Sequence, residues 1–318
     1  MVTQILKRDG LDLVVHWPSL SEQLTDAQLQ SKPEAGSHPH KVRGFLLACS
    51  LFPEKWLNRV FSVGGIRWQG EHLHLLTYKS IDPYQDEVYT SARQIGARAA
   101  KILYEDEHCL VVYKPVGMPV HGSYKGQIET LDVAVAKHML QKADPIEVRH
   151  IHRLDDDTSG PVLYSKHDLA QQRLDEAMRV KNIERLYIAI VEGVMRKDKG
   201  TIDAPIGKDR NQPKARRVSP TGDHAVTHYK VLQRFHRHTL VDVQLETGRT
   251  HQIRVHMSHI HHPIVGDSLY GGSTDMIKTQ ALHGHTLIFP HPITKQSLTV
   301  EAPLPRWFVQ LKEQIAKS

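Results

Sequence analysis

The sequence predicts an α+β protein, because strand patterns and helical patterns both occur along its 318 residues. Residues 109–113 and 185–193 are apolar runs rich in β-branched side chains, which are typical of buried strands. In residues 241–245 apolar and polar side chains alternate, and this predicts a strand with one exposed face. Apolar residues three or four positions apart predict helices between and after these strands.

The first forty residues are expected to form an N-terminal extension and linker, residues 1–40. Leu11, Leu13 and Val15 are spaced as in a short strand. Residues 31–40 are rich in Pro, Gly, Ser and His, a composition that favours a linker.

Residues 41–95 are predicted to form a small module. Apolar residues at helical spacings on either side of Pro53 predict two short helices joined by a turn. Residues 64–70 contain glycines on both sides of a short apolar stretch, which predicts a turn, a strand and a second turn. The basic residues of the module are few: Lys41, Arg43, Lys55, Arg59 and Arg67.

Further elements are predicted in the second half of the chain. The apolar face of a helix begins at Ala170, and Asp168 is expected to cap that helix. Residues 251–259 are expected on another helix, because apolar residues recur there at helical spacing. Residues 287–300 hold two apolar runs around a turn and predict a hairpin, and Phe308 begins a final amphipathic helix.

Composition limits the class of protein. A hydrophobic fraction of 40% is too high for a disordered chain. Lys and Arg number 41 against 35 Asp and Glu, and the resulting charge of +6 suits a nucleic-acid partner. Cys49 and Cys109 lack CxxC spacing, so neither a disulfide framework nor a cysteine zinc site is indicated. No apolar signal core or membrane-length run occurs, so we expect a cytoplasmic protein that does not act at a membrane.

The most unusual stretch of the chain is RHIHRLDDDTSG, residues 149–160. Three consecutive carboxylates, Asp155, Asp156 and Asp157, repel one another unless cations lie nearby, and two arginines stand just upstream. Asp, Thr, Ser and Gly also form turns, so a solvated turn is the competing interpretation. A polar cluster this dense beside a predicted strand favours a functional site.

Within this stretch, HRLDDDTSG resembles the HRLDxxTSG signature of the RluA family of RNA pseudouridine synthases. Other motifs similar to those of the family surround it in order. They are KPVG at 114–117, RLYIAIVEG at 185–193, TGRTHQIRVH at 247–256, HPIVGDSLYG at 262–271 and LHGHTLIFPHPIT at 282–294. The resemblance covers residues 100–303. It rests on several motifs that occur in the same order as in the family.

The resemblance implies a pseudouridine synthase fold over residues 96–318, with a mixed, mostly antiparallel sheet, flanking helices and a central cleft. It also implies RNA as the partner. The module at 41–95 is similar to the small RNA-binding module of many bacterial pseudouridine synthases, although Ile66, Trp68 and Gln69 replace the usual Val, Val and Asn of its hairpin. An RNA contact and a purely structural cap both stay open for this module.

Three residues at matched positions are implied to be catalytic. Asp155 would act as a nucleophile or base beside the sugar, and Arg254 would keep that carboxylate ionised. Tyr187 would stack on the uracil and could serve as a base. Whether Asp155 attacks the sugar or eliminates the base through a glycal stays open.

A second set of residues is expected to contact RNA. His152 and Arg153 would contact the RNA or fill the gap left by a flipped nucleotide, and Arg249 and His251 would lie on the nucleic-acid side of the cleft. A flexible basic loop at 207–218 would grip phosphates. Its cations are Lys208, Arg210, Lys214, Arg216 and Arg217.

No cofactor and no metal are expected, because the reaction is an isomerisation and neither a P-loop nor a GxGxxG motif occurs. A metalloenzyme is suggested by five histidines, His251, His256, His259, His261 and His262. No acidic residue stands at HExxH spacing among them, so an RNA-contacting or other polar role is preferred.

Besides the metalloenzyme, a hydrolase and a catalytically inactive RNA-binding protein are competing functional classes. A hydrolase would need a second carboxylate in the cleft. An inactive RNA-binding protein would have lost Asp155, Tyr187 or Arg254, and all three are present. We therefore expect an RNA pseudouridine synthase for specific uridines in ribosomal or transfer RNA, acting as a monomer without an obligatory protein partner.

Overall fold

A computed structural model describes residues 6–94, 96–124 and 127–317. The chain forms an N-terminal module and a larger part that is built on two antiparallel sheets. Residues 1–5 of the predicted extension lie outside the described residues.

The N-terminal module is a four-stranded antiparallel sheet, in the order β1-β2-β4-β3, with helices packed against it. Its elements are β1 (Leu6–Asp9), β2 (Asp12–His16), a short 3-10 helix (Ser19–Gln23), α1 (Asp26–Gln30), α2 (Pro39–Ala48), α3 (Glu54–Ser62), β3 (Ile66–Gln69) and β4 (His72–Leu76). The two helices predicted around Pro53 are therefore present.

The predicted N-terminal extension is not separate from this module. The strand expected near Leu13 forms as β2, but it pairs with β4 in the middle of the module sheet. The reason is that Leu13 and Val15 are fully buried in the same apolar core as Trp56 and Leu57. From residue 6 onward the chain therefore contributes to the module.

The first sheet of the larger part is antiparallel in the order β5-β6-β8-β7. This region contains α4 (Glu87–Ala92), β5 (Lys101–Glu105), β6 (Cys109–Lys114), α5 (Leu131–Gln141), β7 (Arg149–His150), β8 (Gly160–Ser165) and α6 (Asp168–Arg179). The expected cap of α6 is wrong by one residue, because the Nδ1 of His167, and not Asp168, accepts the N–H of Ala170 at 3.2 Å.

The second sheet has six antiparallel strands in the order β10-β13-β14-β9-β15-β16. Its region contains β9 (Glu184–Glu192), β10 (Lys199–Asp203), β11 (Ile206–Lys208), β12 (Arg216–Val218), β13 (Val226–Arg234), β14 (His238–Leu245), α7 (Gln252–His259), a 3-10 turn (Ser268–Tyr270), β15 (Leu282–Pro290), β16 (Ser297–Glu301) and α8 (Arg306–Lys317). β11 and β12 form a separate two-stranded antiparallel sheet.

The two sheets meet where β8 crosses β15. Ser159 and His283 form a parallel bridge, and the N–H of Gly284 donates to the carbonyl of Ser159 at 2.8 Å. Gly160, with φ +143°, lies so close that a Cβ there would be 2.6 Å from the oxygen of Gly284. Side chains at this crossing would separate the sheets. The mixed, mostly antiparallel arrangement predicted for the larger part is confirmed.

The module docks on α6 and on the turn after β15. Leu169 and Ile293 are buried in the module core. Arg173 of α6 donates to the carbonyls of Leu51 and Pro292, both at 2.7 Å. These contacts make the module part of the same packed body. Among the described residues, no helix is both long and apolar enough to cross a membrane.

Candidate active site

The loop between β7 and β8 carries Asp155, and a buried lysine holds it. Lys114, at the end of β6, is fully buried and donates to the carbonyl of Asp156 at 2.6 Å. Burial lowers the pKa of Lys114 to about 8, while the neighbouring aspartates oppose that shift. Thr158 closes the turn with a bond from its N–H to the carbonyl of Asp155 at 3.0 Å, and Gln280 donates to its hydroxyl at 2.6 Å. The loop is thus fixed at Asp155 and over the three residues that follow it.

Arg254, on the buried face of α7, reaches Asp155 from across the cleft. Its Nη1 donates to Asp155 Oδ2 at 3.1 Å. Its Nε and Nη2 donate to Asp267 at 2.7 and 2.9 Å. Burial alone would lower the pKa of Arg254, but the hydrogen bonds that it donates to Asp267 and the charges of Asp267 and Asp155 raise it above its ordinary value. The guanidinium therefore stays charged beside Asp155.

His251 immediately precedes α7 and faces the same carboxylate. Its Nε2 lies 3.8 Å from Asp155 Oδ2. Its backbone adopts the left-handed region, with φ +59°. Such a conformation is uncommon for a residue with a side chain and is concentrated at functional sites. Burial lowers the pKa of His251, with the charge of Asp155 opposing that shift, so the ring is neutral at pH 7.

Tyr187 contributes the other wall of the site from the middle of β9. The residue is buried, and burial together with the nearby Asp155 raises the pKa of its phenol. Arg185, two positions earlier on the same face of β9, also lines the site. Its Nη2 donates to the carbonyl of Thr247 at 3.4 Å.

These groups line a small cleft of about 70 Å³ that is open to solvent on one side. The lining residues are Arg153, Leu154, Asp155, Thr158, Arg185, Tyr187, Leu245, Gly248, Arg249, His251, Gln252, Ile253, Arg254 and Leu282. Asp155 is the single acidic residue among these described lining residues, whereas a hydrolase with paired carboxylates would need a second one.

The residues expected to contact RNA fall into two groups near the pocket. Arg153 and Arg249 are exposed on its rim, where Arg153 donates to the hydroxyl of Thr250 at 3.4 Å. His152 is different, because it is buried and its Nε2 accepts the N–H of Leu163 at 3.3 Å. Burial lowers the pKa of His152 to about 3. The expectation that His152 contacts RNA is therefore wrong for this structure: the ring is part of the core beneath the loop.

The basic segment at 207–218 was expected to be a flexible loop, and this is wrong: it forms a hairpin. Lys208 pairs with Arg216 where β11 and β12 meet. The hairpin is anchored to the site, because the N–H of Arg216 donates to the hydroxyl of Tyr270 at 2.8 Å. Arg216 is half-buried, and the other cations of the segment are exposed, namely Lys208, Arg210, Lys214 and Arg217.

The histidines that suggested a metal do not converge. The ring nitrogens of His256 lie 2.8 Å from the hydroxyl of Thr227 and 2.9 Å from the carbonyl of Ala204. His262 bonds to a backbone carbonyl, and His259 and His261 are exposed. In the described parts of the chain, the one trio of close ligand-type atoms lies elsewhere. It consists of Asp106, Cys109 and His291, whose carboxylate and imidazole already bond to each other at 2.7 Å.

Three residues of the site have no role that the sequence alone predicts. Asp267 belongs to the matched GDSLYG stretch, where the Gly-Asp pair is recognisable only as part of a motif. Lys114 belongs to KPVG, but a lysine is rarely fully buried, so its inward position is not expected. Tyr270 belongs to the same GDSLYG stretch, and its contact with the hairpin is a tertiary feature without a local sequence signal.

Comparison with known proteins identifies the class to which the chain belongs. The family model described as RNA pseudouridylate synthase matches residues 108–259. An uncharacterized RNA pseudouridine synthase of Bacillus subtilis (strain 168), YhcT, is 48% identical over 206 residues, which cover 64% of this chain and 68% of that protein. The ribosomal large subunit pseudouridine synthase D of Pseudomonas aeruginosa is 43% identical over 225 residues, covering 66% of this chain and 70% of that protein.

Solved structures support the same class. The human RNA pseudouridylate synthase domain containing 4 protein superposes with a TM-score of 0.56 at 28% sequence identity, covering 68% of this chain and 92% of that one. The fold and the relatives define an RNA-modifying isomerase. The chain belongs to the RluA family of RNA pseudouridine synthases.

Proposed function

We propose that the protein converts specific uridines of ribosomal or transfer RNA to pseudouridine, with Asp155 as the essential carboxylate. The supporting observation is the 3.1 Å contact between Asp155 Oδ2 and Arg254 Nη1, in a pocket that Tyr187 also lines. Similarity to a ribosomal large subunit synthase, at 43% identity, favours ribosomal RNA among the two substrate classes.

The reaction explains why a single ionised carboxylate is sufficient. The bond between ribose C1′ and uracil N1 breaks, and a bond from C1′ to C5 of the uracil forms. C5 loses a proton and N1 gains one, so no redox partner is consumed. Asp155 would either add to C1′ or remove a ribose proton to give a glycal, and both routes need its ionised form. Arg254 would favour the ionised form of Asp155, because its guanidinium is always positively charged.

The pocket supports a base-flipping route. The reacting atoms of uracil are shielded in a stacked helix, so the nucleotide has to leave the stack. Tyr187 would stack on the flipped uracil, and its hydroxyl would take part in proton removal from C5. Arg153 and Arg249, on the pocket rim, would contact the flanking phosphates.

The basic hairpin would bind the RNA outside the pocket. Lys208, Arg210, Lys214 and Arg217 are exposed on it, and they would neutralise phosphates around the flipped nucleotide. We further propose residues 96–318 as the catalytic domain of a monomer that works in the cytoplasm. For the module we favour a structural role, because Arg59 and Arg67 are paired with Asp168 and Asp12.

A pseudouridine map of cellular RNA, compared between cells with and without the protein, tests the proposal. Loss of one or a few sites is expected, and those sites name the substrate. Re-expression of the wild-type chain should restore them, whereas Asp155→Asn should not, although its RNA binding should persist. Residual turnover of Asp155→Asn within about tenfold of wild type would contradict the role of Asp155. No lost site, together with no product from purified protein on unmodified transcripts, would favour an inactive RNA-binding protein.

A further inference from the structure

Tyr270 connects the basic hairpin with the proposed catalytic carboxylate. Its hydroxyl oxygen accepts the backbone N–H of Arg216 at 2.8 Å. The same oxygen lies 2.8 Å from Nδ1 of His251. The opposite nitrogen of that ring, Nε2, lies 3.8 Å from Oδ2 of Asp155. A continuous chain of contacts therefore runs from β12 to the pocket.

The contacts of Tyr270 favour one tautomer of His251, in which the phenol hydrogen has an acceptor. A neutral imidazole carries one hydrogen, on either Nδ1 or Nε2. Because the phenolic oxygen already accepts the N–H of Arg216, its own hydrogen is free to point at Nδ1. Nδ1 is then the acceptor, and the ring hydrogen stands on Nε2, on the side that faces Asp155.

The surroundings of His251 favour this neutral form. The charged groups that face the ring are Asp155, Arg254, Arg216 and Asp267. Burial lowers the pKa of the imidazole most, and the two arginines act in the same direction against the two carboxylates.

Tyr270 is itself rigidly held, so its hydroxyl can be removed without moving the ring. The guanidinium carbon of Arg254 lies 4.9 Å from the centroid of the Tyr270 ring. The carbonyl of Tyr270 accepts the hydroxyl of Ser258 at 2.8 Å. A phenylalanine at this position keeps both contacts and loses only the bonds to Arg216 and His251.

We propose that Tyr270 is a positioning residue that fixes His251 with Nε2–H towards Asp155. The inference rests on the proposed role of Asp155 in pseudouridine formation. Nε2–H is a second donor beside Arg254, and it closes on the carboxylate when bound RNA orders the site. Without the phenol, either nitrogen of His251 can carry the hydrogen, and a lone pair on Nε2 would repel the carboxylate.

Two measurements on the full-length protein test this role. NMR of protein with isotope-labelled histidine reports which ring nitrogen carries the hydrogen, and a His251→Gln variant assigns the signal. We expect Nε2–H in wild type and a substantial Nδ1–H population in Tyr270→Phe. Single-turnover kinetics on a substrate RNA should show a rate about tenfold lower for Tyr270→Phe, at unchanged RNA affinity.

The matched control is Tyr104→Phe, which removes a phenol bond of 2.7 Å to Asp106 outside the site and should leave tautomer and rate unchanged. A Tyr270→Phe protein that keeps both the Nε2–H signal and the wild-type rate would overturn the proposal. A loss confined to RNA affinity would overturn it as well. If wild type converts no uridine in any RNA, the proposed function fails, and the NMR result alone still decides whether Tyr270 sets the tautomer.

Discussion

Asp267 holds Arg254 through two hydrogen bonds, from Nε at 2.7 Å and from Nη2 at 2.9 Å, and leaves Nη1 free to reach the cleft. Asp267 is only 2% exposed, so it cannot exchange this partner for water. A bidentate pair fixes the plane of the guanidinium as well as its position. The direction from which Asp155 receives its hydrogen bond is therefore set by a residue that does not touch the pocket.

This pairing predicts that loss of Arg254 destabilises the fold. In Arg254→Ala, the buried carboxylate of Asp267 loses its cation, and we expect the free energy of unfolding to fall by about 3 kcal/mol. Adding Asp267→Asn to that variant removes the unpaired charge and should recover at least about 1 kcal/mol. Urea denaturation measures both effects. Arg249→Ala, an exposed arginine of the same pocket, is the matched control and should leave stability nearly unchanged. Strictly additive losses in the double variant would show that the two residues do not depend on each other.

Tyr187→Phe separates stacking from proton transfer, because the substitution keeps the ring and removes the hydroxyl. We expect RNA affinity to stay unchanged and the single-turnover rate to fall about 100-fold, within the range for loss of a general base. The pKa of this phenol is raised by burial and by Asp155, so its ionised fraction grows with pH through the neutral and alkaline range. The wild-type rate should rise over that range, and the rate of Tyr187→Phe should not. Equal pH profiles in the two proteins would limit Tyr187 to stacking.

The helices and strands with a regular spacing of apolar residues were predicted from the sequence. The other elements depend on tertiary contacts that the sequence does not reveal locally. The alternation in β14 and the apolar run of β9 were sufficient to predict these strands. β10 and β13 were not predicted, since their polar faces give no clear period. The pairing of β2 with β4 depends on packing between distant segments, and no local signal distinguishes it from a free extension.

The candidate site divides in the same way. Motif positions were sufficient to propose Asp155 and Arg254 as neighbours, and they lie 3.1 Å apart. The inward position of Lys114 and the burial of His152 depend on how the loop packs, and a charged or polar residue is expected at the surface by default.

The salt dependence of RNA binding should distinguish the hairpin from the module. Replacing Lys214, Arg216 and Arg217 with alanine removes three cations, and we expect the slope of log affinity against log salt to fall by about two to three units. Arg59 and Arg67 form ion pairs with Asp168 and Asp12 at 2.6 and 2.8 Å, so their removal together should change the slope by less than about one unit. Filter binding at several salt concentrations measures both slopes. If removing Arg59 and Arg67 changed this slope more than removing the three hairpin cations, the phosphate contacts would lie on the module and not on the hairpin.

Because several histidines are buried in their neutral form, we expect the protein to lose stability when the pH is lowered from 7 to 5. Burial lowers the pKa of His152 to about 3 and that of His108 to about 4, from an ordinary value of 6.5. In this window the unfolded chain binds protons at these rings and the folded chain does not, so acidification favours unfolding. Each ring should remove about 2 kcal/mol of stability at pH 5. The pKa of Glu105 is lowered to about 2, so its contribution is lost only below its ordinary value of 4.5 and does not affect this window.

His152→Gln tests this origin of the pH dependence directly. The amide can still accept the N–H of Leu163 that His152 accepts at 3.3 Å, but it has no proton to gain. The fall in the free energy of unfolding from pH 7 to pH 5 should therefore be smaller in the variant by about 2 kcal/mol. Urea denaturation at each pH gives the change in the free energy of unfolding for the variant and for wild type. The exposed His259→Gln is the control, and its free energy of unfolding should change with pH as that of wild type does. If His152→Gln and wild type lose the same stability on acidification, His152 is already protonated in the folded protein, and the burial of its neutral ring does not limit stability at low pH.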